Sequence, residues 1–298
     1  MTAAVPGPAV TVQEELALEG LPPRLYPCTP TRLTTWLDCR RRYRLTYLER
    51  PQPPKGPPWA HNSVGAAVHL AMAGWHRLDP AARTPEAAGR LLDRVWLHDG
   101  FRDDEQSALW RDRAREMVVR YATTLDPADE PLGVERTVAT RTGTLAVSGR
   151  VDRLDRRDVD GHDQVVVVDY KTGRRVLTSY DAQSSLALAL YALAVTRTLR
   201  RPCLRVELHH LPTGDVLAHD HTEESLDRHL RRAESVGTAA AAADAAYRAG
   251  LTDEEADVAF PPDVSPSCRW CDFLRVCPAG SAAVAPAAPW SGLAEPVA

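Results

Sequence analysis

An α/β domain built on a mixed sheet is predicted by three observations on this 298-residue chain. Helical recurrence of apolar residues fills the first part. Between residues 133 and 173 the period switches to two, with β-branched enrichment. Helical recurrence then returns, interrupted by one more strand pair. No internal repeat accompanies the pattern. At this length a single large domain can bury a substantial core.

Residues 1–29 are proline-rich and are expected to be partly ordered. "TPTRLTTWLDCRRRYRLTYLER" places Leu33, Trp36, Leu37 and Leu48 with helical recurrence behind threonine caps, predicting one helix that carries Cys39. It ends at "PQPPKGPP", where proline removes amides and fixes φ. A second helix starts near Ser63, with Val64, Val68, Met72 and Trp75 on one face. Two arginine- and acid-rich helices follow, near 84–98 and 103–124. The stretch from "GVERTVATR" to "VVVVDYKTG" alternates and is broken at "TG" and "DGHD", which predicts a meander of about three antiparallel strands. A helix near 181–199, a hairpin from "CLRVELHHL" and "DVLAHDH", and an alanine-rich helix near 223–249 complete the regular structure. A single domain over 30–280 is expected, and residues 281–298 read as a disordered tail.

The net charge of −4 gives no general basic field, so any nucleic-acid partner has to be held by local arginine patches. No stretch reaches the ~18 apolar residues of a membrane span, and the opening residues lack the basic and apolar regions of a secretory signal. A cytoplasmic protein is the expectation. A Walker A loop needs G-x-x-x-x-G-K-[ST], and neither Lys55 nor Lys171 has that context. Any unwinding motor is therefore expected to be a separate protein.

Those two are the only lysines among 36 basic residues, and Lys171 follows Asp169 by two at the end of an apolar strand. Residues two apart on a strand share a face, so Asp169 and Lys171 project together. Pairing across "DGHD" brings Asp152 of "GRVDRLD" close. Two carboxylates from neighbouring strands suit Mg²⁺ or Mn²⁺, and a lysine beside them can orient or deprotonate a water, which a permanently charged guanidinium does poorly. Spacing alone also fits an ordinary ion pair at a sheet rim. His69, taken alone, reads as a helix-surface or satisfied histidine; Glu135 is a candidate further acid near the metal, with a solvated strand residue as the preferred reading.

Six cysteines without an export signal argue for metal ligation over disulfides. Cys268, Cys271 and Cys277 stand within "CRWCDFLRVC"; a tetrahedral zinc or an iron–sulfur cluster needs a fourth ligand. Cys28, Cys39, Cys203 and the histidines are the candidates. Cys39 is preferred because it would clasp the two ends of the chain.

"GAAVHLAM", "GRVDRLD", "VVDYKTG", "LALALYALA" and the split cysteine set together resemble the RecB-like branch of the PD-(D/E)XK nuclease superfamily. The nearest likeness is to its iron–sulfur group, which includes the AddB nuclease domain and CRISPR-adaptation nucleases. The resemblance runs from about Pro30 to Pro278. It implies a restriction-endonuclease-like core of mixed sheet flanked by helices, with the N- and C-terminal segments joined by a four-cysteine cluster. His69, Asp152, Asp169 and the Tyr170 carbonyl would hold Mg²⁺ or Mn²⁺ while Lys171 assists the water. Cys39, Cys268, Cys271 and Cys277 would hold a [4Fe-4S] cluster. The family's helix glutamine stands four residues before a tyrosine. Here Ala187 is at that place before Tyr191, with Gln183 one turn further back as its expected substitute. Arg174, Arg175 and Tyr191 are the expected DNA contacts.

The implied function is a metal-dependent deoxyribonuclease acting on single-stranded DNA or ends, an exonuclease before an endonuclease, in repair or recombination. A non-catalytic DNA-binding or assembly subunit of a helicase–nuclease or CRISPR-adaptation complex is the alternative, and a zinc-clasped RNA-processing factor is a third.

Overall fold

The computed structural model describes residues 24–159 and 161–293. The chain opens with strand β1 (Tyr26–Cys28), then helices α1 (Pro30–Asp38), α2 (Arg40–Tyr47), α3 (Ala60–His76), α4 (Pro85–Val95) and α5 (Asp104–Ala122). Strands β2 (Gly133–Arg141), β3 (Leu145–Val159) and β4 (His162–Lys171) follow, as the change of period predicts. After them come α6 (Ser179–Ser184), α7 (Leu186–Leu199), β5 (Arg205–His210), β6 (Asp215–Asp220), α8 (Glu223–Arg248), α9 (Asp253–Ala259) and α10 (Pro278–Ala283). No helix among the described residues is long and apolar enough to cross a membrane.

The strands form one six-stranded mixed sheet. β2, β3 and β4 make the antiparallel meander, β5 joins β4 in parallel, and β6 closes the far edge antiparallel to β5. One edge of β3 carries β2 over residues 146–154. Its other edge takes β1 at residues 145–147 and β4 from 153 onward, so residues 148–152 have no strand partner on that side. The ladder therefore opens beside Asp152.

Val165, Val166, Val167 and Val168 are all fully buried because β4 is covered on both faces. Val166, Val168 and Tyr170 face a core shared with α3, α4 and α5, including Val68, Met72 and Trp75. Val165 and Val167 face Leu188, Ala189 and Ala192 of α7.

Three expectations need correction. The helix expected within residues 29–50 is two helices, since Cys39 leaves helical geometry (φ −168°, ψ 115°) and its sulfur caps α2 by accepting the Arg42 N–H. The helix near 181–199 is also two, divided at Ser185, whose hydroxyl accepts the Leu188 N–H and caps α7. The part of the expected disordered tail that is described, residues 281–293, is packed: Leu293 is buried in the α3 core and Trp290 lies against it. In the segment expected to be partly ordered, residues 24–29 include β1, which pairs with β3. Residues 1–23 and 294–298 lie outside the described residues.

Candidate metal centre and nucleic-acid cleft

The opening of the ladder is where the chemistry-bearing side chains gather. In the β3–β4 register Arg153 faces Val168, so Asp152 and Asp169 stand opposite each other one step beyond the paired residues. The Asp152 carboxylate takes over where strand pairing stops, accepting the Tyr170 N–H at 2.8 Å. From α3, the His69 ring lies with Nε2 3.1 Å from the Tyr170 carbonyl and Nδ1 3.3 Å from Asp152. Small residues let α3 sit this close: a side chain at Gly65 would meet the Thr172 hydroxyl at 3.2 Å.

His69, Glu135 and Asp152 place one ligand atom each within 4.8 Å of one another. Glu135 is the residue that sequence reasoning assigned to solvent. On β2 it falls opposite Asp152, between the pairs Val134–Arg153 and Arg136–Val151. Its φ of +50° puts a non-glycine residue in the left-handed region, a strain that costs about 1–3 kcal/mol and gathers at functional sites. Arg150 holds its carboxylate at 3.1 Å. The only signal in the sequence was an acid on the strand next to "GRVDRLD".

Asp169 Oδ2 is 2.5 Å from the Lys171 ammonium, yet this buried oxygen has no hydrogen bond of acceptable geometry. Burial and the nearby Asp152 raise the Asp169 carboxyl above its usual range, against the pull of Lys171 and His69. Burial works against a charged His69, but Asp152, Asp169 and Glu135 outweigh it and raise the imidazole. Anionic oxygens held this close without full compensation are what a divalent cation neutralises. Two or three carboxylates, an imidazole and a carbonyl form a donor set suited to Mg²⁺ or Mn²⁺. The residues fit the ion.

The Tyr191 ring of α7 fills the gap in the ladder: a Cβ on Gly149 would lie 2.5 Å from its Cε1. Burial, then Asp169 and Asp152, push its phenol up to about 12, so it stays neutral beside the acids. Gln183 does not join them. It is exposed on α6, with its carbonyl towards His229 at 3.1 Å, and the break at Ser185 denies it a shared helix face with Tyr191.

His69, Glu135, Asp152, Tyr170 and Lys171 open into a cleft of about 790 Å³, whose walls also carry Arg77, Trp110, Arg150 and Arg174. Arg175 points elsewhere: it pairs with Asp181 at 2.7 Å beside the α6 cap. The cleft combines basic groups with an aromatic ring around an acidic floor, a surface that suits a phosphate backbone and unpaired bases.

Cys39, Cys268, Cys271 and Cys277 line a second cavity, of about 370 Å³. Cys39 Sγ accepts N–H groups of Arg42 and Asp263, each at 3.4 Å, and Cys268 Sγ that of Ser265 at 3.5 Å. Burial raises the Cys271 thiol. Among the described residues no three cysteine sulfurs lie within 4.8 Å of one another, and all six cysteines are free. Cys28 and Cys203 are buried in apolar clusters away from this cavity.

A family model for the PD-(D/E)XK nuclease superfamily matches residues 27–278. Among curated proteins none matches the chain. A solved structure of a candidate exonuclease from Eubacterium rectale shares 10% identity over 70% of this chain and 78% of its own, at a TM-score of 0.43. That of SSO0001 shares 11% over 88% and 89%, at 0.36.

Proposed function

The chain belongs to the PD-(D/E)XK nuclease superfamily, and from that premise we propose that it is a Mg²⁺- or Mn²⁺-dependent deoxyribonuclease acting on single strands or DNA ends, as an exonuclease. The observation that carries this reading is the convergence of His69, Glu135 and Asp152 beside a buried Asp169 paired with a lysine at 2.5 Å.

Asp152, Asp169, His69 and the Tyr170 carbonyl, with Glu135 added from β2, are the residues that would hold the ion. A bound divalent cation supplies Lewis acidity to the phosphate and lowers the pKa of water. Lys171, half-exposed at the rim beside Asp169, orients the attacking water and offsets charge developing on the phosphate. Arg77, Arg150 and Arg174 are positioned to grip neighbouring phosphates, and Trp110 to stack an unpaired base. A DNA-binding subunit that had lost activity would have no chemical use for this complete set.

We further propose that Cys39, Cys268, Cys271 and Cys277 hold a [4Fe-4S] cluster that clasps the two ends of the domain. The setting is cytoplasmic repair or recombination, with a separate motor protein supplying unwound strands.

The test is digestion of end-labelled single- and double-stranded DNA with Mg²⁺, Mn²⁺ or EDTA, using wild type, Lys171→Ala and Asp169→Ala. Cleavage is expected only in wild type with metal, and single strands or ends should be preferred. Full activity in EDTA, or in either variant, refutes the mechanism.

A further inference from the structure

The "DRLD" segment of β3 places a second charged group directly behind the first. Alternation along the strand sends Asp152 to the cleft and Arg153 to the opposite face, where Arg153 is 3% exposed. Burying a guanidinium is costly unless it is fully paired, and this one is. Its Nε and Nη2 donate to the two Asp155 oxygens at 2.8 and 2.9 Å. Its Nη1 donates to the hydroxyls of Tyr121 at 3.1 Å and Tyr170 at 3.0 Å. Arg157 pins Asp155 from the far side at 2.7 Å and reaches Glu207 at 2.8 Å. Glu207 accepts from Arg205 and lies 2.9 Å from His209, which touches Tyr121 at 2.6 Å. The cluster is closed and joins β3, β4, β5, α3 and α5.

A closed cluster of this kind could serve the core alone. Tyr170 gives it a direction. The phenol is held by Arg153 and lies 3.3 Å from His76 Nε2. The main chain of the same residue donates to Asp152 and presents its carbonyl to His69. His69 and His76 are seven residues apart on α3, about two turns, so one helix face grips both ends of Tyr170. The tyrosine is a rigid lever whose inner end is fixed in the buried cluster and whose outer end lies between two metal-site residues.

We infer that Arg153, locked by Asp155, is a positioning residue that sets the Tyr170 carbonyl for the metal through the tyrosine hydroxyl. The inference rests on the reading of His69, Asp152 and Asp169 as a metal centre. It explains why the segment places an arginine directly after the ligand aspartate and a second aspartate two residues later: the first acid faces the ion, and the following pair holds the strand opposite it in place. Lysine could not replace this arginine, because a single ammonium cannot hold both Asp155 oxygens and a tyrosine in one plane.

Mn²⁺ titration of the full chain, followed by electron paramagnetic resonance of the free ion without DNA, tests the inference. Three proteins are compared: wild type, Tyr170→Phe and Tyr121→Phe. The two variants each remove one hydroxyl from the same guanidinium, but only Tyr170 carries the carbonyl. Tyr170→Phe is expected to raise the Mn²⁺ Kd by roughly tenfold to a hundredfold, the usual effect of losing an outer-sphere partner. Tyr121→Phe should bind Mn²⁺ nearly as wild type while losing comparable thermal stability. Equal Mn²⁺ affinity in wild type and Tyr170→Phe, or equal losses in both variants, would overturn the lever and leave the metal centre standing. A wild-type protein that binds no Mn²⁺ would overturn the metal centre itself and the lever with it.

Discussion

Acidifying the protein from pH 7 to pH 5 should destabilise it through one buried imidazole. His76 is 7% exposed. Burial first, and then the Arg153 and Arg83 guanidiniums, push it down to about 3, against the weaker pull of Asp155. In the unfolded chain it takes up a proton below about 6.5; in the fold it does not until far lower pH. The unfolded state therefore binds the extra proton between those limits, and stability falls with decreasing pH by about 1.4 kcal/mol per pH unit. Between pH 7 and pH 5 the loss attributable to His76 is about 2 kcal/mol, a large part of the 5–15 kcal/mol typical of a domain. Urea unfolding followed by tryptophan fluorescence in EDTA reads this directly. With a slope near the upper end of about 1–3 kcal/mol per molar urea, the wild-type midpoint should drop by about 0.7 M more than that of His76→Gln over the same pH interval. His221, pushed down to about 4 by burial and its histidine neighbours, and Glu207, lowered to about 2, titrate in both proteins and cancel in the difference. Measuring each drop within one protein also removes any general stability loss caused by the substitution. Equal drops for the two proteins would refute the reasoning.

Three further outcomes follow from the site and the clasp. Glu135→Gly and Glu135→Ala should both weaken Mn²⁺ binding, but the glycine variant should be more stable than the alanine one by about 1 kcal/mol, since only glycine accepts φ +50° without strain; equal melting curves would contradict this. Arg174→Glu should weaken DNA binding and lower the salt slope by about 1, whereas Arg175→Glu should chiefly loosen the α6 cap, and the reverse ranking in a salt titration would place the DNA track elsewhere. Anaerobically prepared protein should be brown with about four irons per chain; Cys39→Ser should lose colour and thermal stability together, Cys28→Ser and Cys203→Ser should keep the iron, and one zinc in colourless protein would exclude the cluster.

The strands were legible because a period of two is a local property of the chain. Asp152, Asp169 and Lys171 were readable for the same reason, since strand alternation and one hairpin bring them together. His69 needed the family resemblance, because a lone histidine on an apolar helix carries no sign of what it meets 101 residues away. Glu135 was a candidate that the sequence alone could not favour, because its place depends on the register of β2 against β3 and on a left-handed backbone turn, neither of which leaves a mark in the residue pattern. The helix breaks differ in kind. Ser185 stands directly before an apolar run, where a serine cap is favoured, and could have been found. At Cys39 the apolar period continues across the junction, and it hides a cap made by sulfur.

The open ladder at β3 has a consequence for how the protein comes into being. The site needs α3 from early in the chain, the meander from the middle, and β5, whose residues 206–210 lock β4 from its other side. Contacts this distant in sequence are slow to form, because loop closure must precede the stabilisation they bring. During synthesis the acids of β3 and β4 emerge well before β5 exists, with the β4 edge unpaired. Until β5 is added, the strand that carries Asp169, Tyr170 and Lys171 is held in the sheet by β3 alone.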